Sequence, residues 1–138
     1  IFQNYNLAPM LNIYENIVFP LTLDGRKPDE ELLRSIISFL RLEDLLDAFP
    51  GELSGGQQQR AAIARALIAK PPVVLADEPT GNLDTIAGRD VMALLRMMSK
   101  KYGQTVVMIT HNEELAQMAD QIIRLEDGKI VGEHHAGE

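Results

Sequence analysis

The chain has 138 residues, of which 46% are hydrophobic, so one domain with a sizeable core is expected and a disordered tail is excluded. The net charge of −7 disfavours nucleic acid as a partner, because the chain's field repels phosphate backbones. Cysteine is absent, which excludes disulfides and thiolate chemistry, and no apolar run approaches the roughly 18 to 20 residues that a membrane span needs, so no direct membrane insertion is expected.

The first half of the chain is expected to be mostly helical after a loop from Asn4 to Pro9. A helix is predicted from Asp29 to Leu46, with Asp29 as its N-cap, because apolar residues recur there at helical spacing. They are Leu33, Ile36, Ile37 and Leu40. A second helix is predicted from Gln57 to Ala69, since this alanine-rich run follows two glycines and stops before two prolines.

The second half alternates short β-branched runs with helical patterns. The predicted strands are Val73 to Ala76, Thr105 to Ile109, Gln121 to Glu126 and Lys129 to Val131, and the predicted helices are Thr85 to Lys101 and Glu113 to Ala119. Because the first two strands are apolar at consecutive positions, we expect a parallel sheet covered on both faces. The fold class is therefore α/β, with ligands at the carboxyl ends of the strands.

The segment from Leu53 to Arg60 carries the strongest local pattern. Ser54 is placed to cap the following helix, while Gly55 and Gly56 let backbone N–H groups approach a ligand closely. A helix N-terminus has positive potential, so phosphate would be a natural occupant. The segment taken alone is equally compatible with a flexible turn before a helix.

Polar side chains follow both central strands. Asp77 and Glu78 end the first, where one carboxylate can hold Mg²⁺ and the other can polarise an attacking water, although a solvated acid pair is the alternative. His111 follows the second and is either a phosphate contact or structural. Asp84 is a good cap for the next helix. The terminal pair His134 and His135 is a weak candidate for metal binding.

In this order and spacing, the residues resemble the nucleotide-binding subunit of an ABC (ATP-binding cassette) transporter. The matching motifs are the Q-loop glutamine at Gln3, the LSGGQ signature at Leu53 to Gln57, the Walker B strand at Val73 to Glu78, the D-loop at Gly81 to Asp84 and the switch histidine at His111. The phrase from Leu75 to Asp84 is most similar to the branch of lipoprotein-release, macrolide-efflux and antimicrobial-peptide-resistance ATPases.

This resemblance implies roles for particular residues. Glu78 would activate water, His111 would contact the γ-phosphate, and Asp77 would help to hold Mg²⁺. Gln3 would touch Mg²⁺ or the attacking water. The family works as a dimer, so Ser54, Gly55, Gly56 and Gln57 would contact ATP held by a second subunit, with Asp84 at the subunit interface.

The resemblance also implies an organisation and partners. Residues 1–8 would form the Q-loop segment, 9–70 an α-helical signature subdomain, and 71–138 the C-terminal half of a P-loop NTPase core. The partners would be a second copy and an integral membrane permease, at the cytoplasmic face of the membrane. The apolar residues between Leu7 and Phe19 would be mostly core, with a permease-binding groove as the alternative.

One family motif is missing. No Walker A loop, G-x-x-x-x-G-K-[ST], is present in the chain. We therefore expect the C-terminal part of a longer subunit, inactive by itself, with uncovered apolar strand surface and a tendency to associate. The alternatives are a soluble ABC protein of DNA repair or the ribosome, or a catalytically silent interaction module.

Overall fold

The computed structural model describes residues 1–135. The elements of this part of the chain are α1 (Ile13–Leu23), α2 (Glu30–Phe39), α3 (Gly55–Ile68), β1 (Val73–Asp77), α4 (Thr85–Tyr102), β2 (Thr105–Ile109), α5 (Glu113–Ala116), β3 (Gln121–Glu126) and β4 (Lys129–His135). Two short 3₁₀ turns, Glu43–Leu45 and Pro50–Glu52, connect α2 to α3. The α/β class and the helical first half are confirmed.

Side-chain caps fix where the first two helices begin. Asn12 and Glu15 form a capping box at α1, in which each side chain accepts a hydrogen bond from the other residue's backbone N–H at 2.8 Å. Asp29 caps α2, as predicted. The helix ends at Phe39 rather than Leu46, because Arg41 adopts a left-handed φ of +54° and turns the chain.

The core lies among the helices. Ile17 of α1, Ile36 of α2 and Ile63 of α3 are completely buried, as are Val91 and Leu94 of α4. The apolar residues predicted on one face of α2 are all buried. Between Leu7 and Phe19 the outcome is mixed: Ile13, Ile17 and Val18 are in the core, whereas Met10, Tyr14 and Phe19 are exposed.

Strands β1 and β2 pair in parallel, with Val73 opposite Thr105 and Asp77 opposite Ile109, so their carboxyl ends coincide. One face of β1 is buried through Val74 and Ala76. On the other face, Leu75 and Ile109 are each 66% exposed. The prediction of a sheet covered on both faces is therefore wrong for this chain, and the expected uncovered apolar strand surface is confirmed.

The last two strands form a separate antiparallel hairpin. Strand β4 is longer than predicted and extends to His135. Helix α5 is shorter and ends at Ala116, followed by turns rather than helix up to Ala119. Within residues 1–135, no helix combines the length and apolarity needed to cross a bilayer.

Candidate functional site

The carboxyl ends of β1 and β2 bring Glu78 and His111 together. Glu78 Oε1 accepts a hydrogen bond from the His111 backbone N–H at 2.8 Å and lies 2.7 Å from His111 Nδ1. Its other oxygen accepts from the Thr110 hydroxyl at 3.2 Å. The Glu78 side chain is only 15% exposed, whereas that of His111 is 87% exposed. The carboxylate is thus fixed, and the imidazole faces solvent.

The backbone of Glu78 is unusual. Its φ is +45°, in the left-handed region that a residue with a side chain adopts at a cost of roughly 1–2 kcal/mol. The Glu78 N–H donates to Ile109 O at 2.9 Å, and its carbonyl accepts from the Gly81 N–H at 3.0 Å. Such a conformation persists only where surrounding contacts hold it, and it is common at functional sites.

Asp77 and Gln3 lie at this same edge of the sheet. The N-terminal segment runs beside β1, since Asp77 N–H donates to Ile1 O at 3.0 Å. Two residues further on, the Gln3 carbonyl accepts from the Asn82 side chain at 3.5 Å. Both Asp77 and Gln3 are exposed. Their carboxylate and amide oxygens are ligand types that suit Mg²⁺.

The described residues contain no group of three or more histidine, aspartate and glutamate side chains that could hold a metal ion. His134 and His135 are consecutive in β4, so their side chains point to opposite faces of the hairpin. Mg²⁺ usually takes one or two protein carboxylates, with water and substrate phosphates completing the shell. Asp77 supplies one such carboxylate at this edge.

Helix α3 begins inside the signature segment. Ser54 and Gln57 form a capping box, in which Ser54 Oγ accepts from Gln57 N at 3.3 Å and Gln57 Oε1 accepts from Ser54 N at 2.9 Å. The helix therefore starts at Gly55, two residues before the predicted start at Gln57. The first N–H groups of a helix have no intrahelical acceptor, so those of Gly55 and Gly56 suit an anion.

Both signature glycines approach other segments closely. A Cβ added at Gly55 would lie 2.6 Å from the Tyr5 hydroxyl oxygen, and one added at Gly56 would lie 3.2 Å from the Asn82 carbonyl oxygen. The first turn of α3 thus packs against the N-terminal segment and the loop after β1. Sequence reasoning missed Tyr5 and Asn82, because neither has a pattern that indicates such a contact.

Arg65 of α3 also holds the N-terminal segment and was likewise missed. Its guanidinium donates to the carbonyls of Asn6 at 2.7 Å and Tyr5 at 2.9 Å. Burial lowers the pKa of this guanidinium, which nevertheless stays charged. The segment that carries Gln3 is therefore tied to the signature helix.

Asp84 caps α4, because its Oδ1 accepts from Ala87 N at 2.9 Å. This confirms the capping interpretation. The side chain is exposed, so the position remains accessible to another subunit. Its role at a subunit interface stays a prediction, as do the nucleotide contacts of the signature residues.

Comparison with known proteins gives the family. The pattern of the family described as ABC transporter matches residues 1–81. The ABC transporter ATP-binding protein YxdL of Bacillus subtilis is 46% identical over 140 residues, which cover 100% of this chain and 54% of that protein. The macrolide export ATP-binding/permease protein MacB of Brucella melitensis is 46% identical over 135 residues, covering 96% of this chain and 21% of MacB.

A solved structure is also similar to this chain in both fold and sequence. It is the dimeric, post-hydrolysis state of the ATP-binding cassette MJ0796 bound to ADP and Pi, which superposes with a TM-score of 0.89 at 39% identity. The alignment covers 100% of this chain and 62% of that one. The chain thus spans 54% of the length of YxdL and 62% of the length of the MJ0796 chain. It belongs to the ABC transporter family.

Proposed function

We propose that the protein is part of an ATP-hydrolysing subunit that powers an integral membrane permease from the cytoplasmic face of the membrane, in the direction of export or extraction. The observation that carries this proposal is the Glu78 carboxylate, held by His111 where β1 and β2 end together. The similarity to MacB, a macrolide export ATP-binding/permease protein, supports the direction.

Glu78 is the general base in this proposal. An ionised carboxylate has about four lone-pair sites, so the bonds from His111 and Thr110 leave acceptor capacity for an attacking water. The tethered side chain would take a proton from that water. Because the three contacts restrict its rotation, little reorganisation is needed as the proton moves.

His111 is the phosphate contact. A carboxylate oxygen only accepts, so the 2.7 Å contact to Glu78 places a proton on Nδ1. Nε2 then remains for a phosphate oxygen, to which it donates when the ring carries its second proton. The large exposure of the ring keeps this nitrogen accessible to a bound nucleotide.

Asp77 and Gln3 are the proposed Mg²⁺ ligands, through their side-chain oxygens. Mg²⁺ held there would neutralise charge that develops on the phosphates of ATP. The shared edge of the sheet, where Asp77 bonds to Ile1 and Gln3 bonds to Asn82, supports this pairing. Gln3 would also report the state of the site to a permease.

A second copy of the subunit is the proposed partner in catalysis. Ser54, Gly55, Gly56 and Gln57 would bind the nucleotide of that copy, and Asp84 would lie at the interface. The support is the N-terminus of α3, a helix of 14 residues whose dipole and unpaired amides favour phosphate. The solved MJ0796 cassette is dimeric, which supports a second copy as partner.

The proposed division of labour follows the predicted boundaries: residues 1–8 form the Q-loop segment, 9–70 the signature subdomain and 71–138 the catalytic part. The chain has no phosphate-binding Walker A loop, so it should not turn over ATP by itself.

Mg·ATP binding and hydrolysis by the 138-residue chain and by the full-length subunit would be measured side by side. Turnover only by the full-length subunit supports the proposal, and turnover by the short chain would contradict the assignment of roles.

A further inference from the structure

Two buried glutamines bracket β1. Gln59 of α3 is 0% exposed, and its Nε2 donates to the carbonyl of Pro79, just after the strand, at 2.9 Å. Gln104 is 4% exposed, and its Nε2 donates to the carbonyl of Pro71, just before the strand, at 2.8 Å. In each case Oε1 is buried without a partner among the described residues.

The single hydrogen bond of each glutamine adds little net stability. A buried polar atom without a partner costs roughly 1–3 kcal/mol, whereas a typical hydrogen bond contributes about 1 kcal/mol net. An apolar side chain of the same volume would remove the unpaired oxygen but would leave the proline carbonyl without its donor, so the two effects nearly cancel. Gln59 and Gln104 are alike in this respect, so what distinguishes Gln59 is the segment that its one bond anchors.

That segment contains the proposed general base. Pro79 directly follows Glu78, whose φ of +45° must be held by its surroundings. Proline has no backbone N–H, so its carbonyl is the only main-chain group at that position that can be anchored. The Glu78 N–H is fixed on the other side by Ile109. Gln59 thus secures the second side of the left-handed turn.

The anchor comes from the signature helix. Gln59 lies one helical turn beyond Gly55, and Gly56 packs against Asn82 of the same loop. A shift of α3 along its axis would therefore move the Pro79 carbonyl together with the loop. We propose that Gln59 is a positioning residue that couples the signature helix to the orientation of the Glu78 carboxylate. This inference rests on the proposed function of Glu78.

The test compares Gln59→Met with Gln104→Met in the full-length subunit. Each substitution removes the same bond, from a buried glutamine to a proline carbonyl, but at opposite ends of β1. We expect Gln59→Met to lower kcat for ATP about tenfold with KM unchanged within about twofold, as for loss of one well-placed hydrogen bond. Gln104→Met should leave kcat within about twofold of wild type. Both should change Tm only slightly and to a similar extent, because each substitution removes one hydrogen bond together with one unpaired buried oxygen.

A second measurement separates this inference from the proposed function. Hydrogen exchange of the Glu78, Gly81 and Leu83 amides, which are hydrogen-bonded in the native loop, should be several-fold faster in Gln59→Met and unchanged in Gln104→Met. Wild-type protein without ATPase activity would refute the proposed function, yet the exchange comparison would still decide the coupling. Gln59→Ala provides a second variant if methionine does not fit.

Equal loss of kcat in the two methionine variants would overturn the inference. Gln59 would then be a structural residue only. Unchanged exchange across the loop in Gln59→Met would overturn it as well, whatever the activity.

Discussion

Replacement of Gly55 by alanine should destabilise the protein through Tyr5. The added Cβ would lie 2.6 Å from the Tyr5 hydroxyl oxygen and 3.5 Å from its Cζ. The first distance is shorter than a real contact allows, so Tyr5 must move. The second is an ordinary van der Waals separation. The clash is thus confined to one oxygen atom.

The magnitude follows from two opposing effects. Gly55 is the first residue of α3, so alanine there gains only the low end of the roughly 0.5–1 kcal/mol that it gains over glycine in mid-helix. Overpacking of a close contact costs about 1–3 kcal/mol. We expect Gly55→Ala to lower the free energy of unfolding by about 1 kcal/mol, because the steric cost exceeds the gain. In a Tyr5→Phe background the oxygen is gone, so the same substitution should be stabilising by about 0.5 kcal/mol.

Urea unfolding of the full-length wild type, the two single variants and the double variant measures this coupling directly. The expected interaction energy is about 1.5 kcal/mol. Gly51→Ala is the control, because a Cβ there would have no neighbour within 4 Å, and it should change stability by less than about 0.5 kcal/mol. An equal cost of Gly55→Ala with and without the Tyr5 hydroxyl would refute the close approach.

Three further predictions concern other parts of the chain. The Asn16 side chain is 1% exposed and hydrogen-bonds to both the N–H and the carbonyl of Ala8. Asn16→Ala should therefore lower the free energy of unfolding in urea by about 2–3 kcal/mol, and a loss below about 0.5 kcal/mol would contradict this. The hydrogen bond from Lys70 lowers the pKa of Asp29, so this pair stabilises the fold above the ordinary aspartate pKa and loses its effect as pH falls through the lowered value. Lys70→Met should raise the pKa of Asp29 in an NMR titration, and an unchanged pKa would show that Lys70 does not stabilise the Asp29 carboxylate. Leu75 is 66% exposed, so the 138-residue chain should associate in sedimentation experiments, and Leu75→Lys should reduce that association. A wild-type chain that stays strictly monomeric would contradict this prediction.

Local chemistry made part of the fold predictable. The Ser54 cap, the Asp29 cap and the strand before Asp77 all follow from patterns within a few residues, and the structure confirms them. The stop of α2 at Phe39 could not be predicted, because Arg41 takes a left-handed φ without glycine or proline to signal it. The capping box of Asn12 and Glu15 was available in the sequence and would have located α1.

The candidate site shows the same limit. The order of motifs indicated that Glu78 and His111 share a site, and the parallel pairing of β1 and β2 places them in contact. Gln59 could not be singled out, because it stands in a run of three glutamines and only burial and the bond to Pro79 distinguish it. Contacts between distant segments depend on tertiary packing that spacing along the chain does not encode.

The most direct test of the account is ATP hydrolysis by the full-length Glu78→Gln subunit. Glutamine keeps the size of the side chain but cannot accept a proton from water. We predict that turnover is lost while Mg·ATP is still bound and trapped, and that Glu126→Gln, a matched substitution at the exposed end of β3, retains wild-type turnover. Wild-type turnover by Glu78→Gln would remove Glu78 from the role of general base and contradict the proposed site.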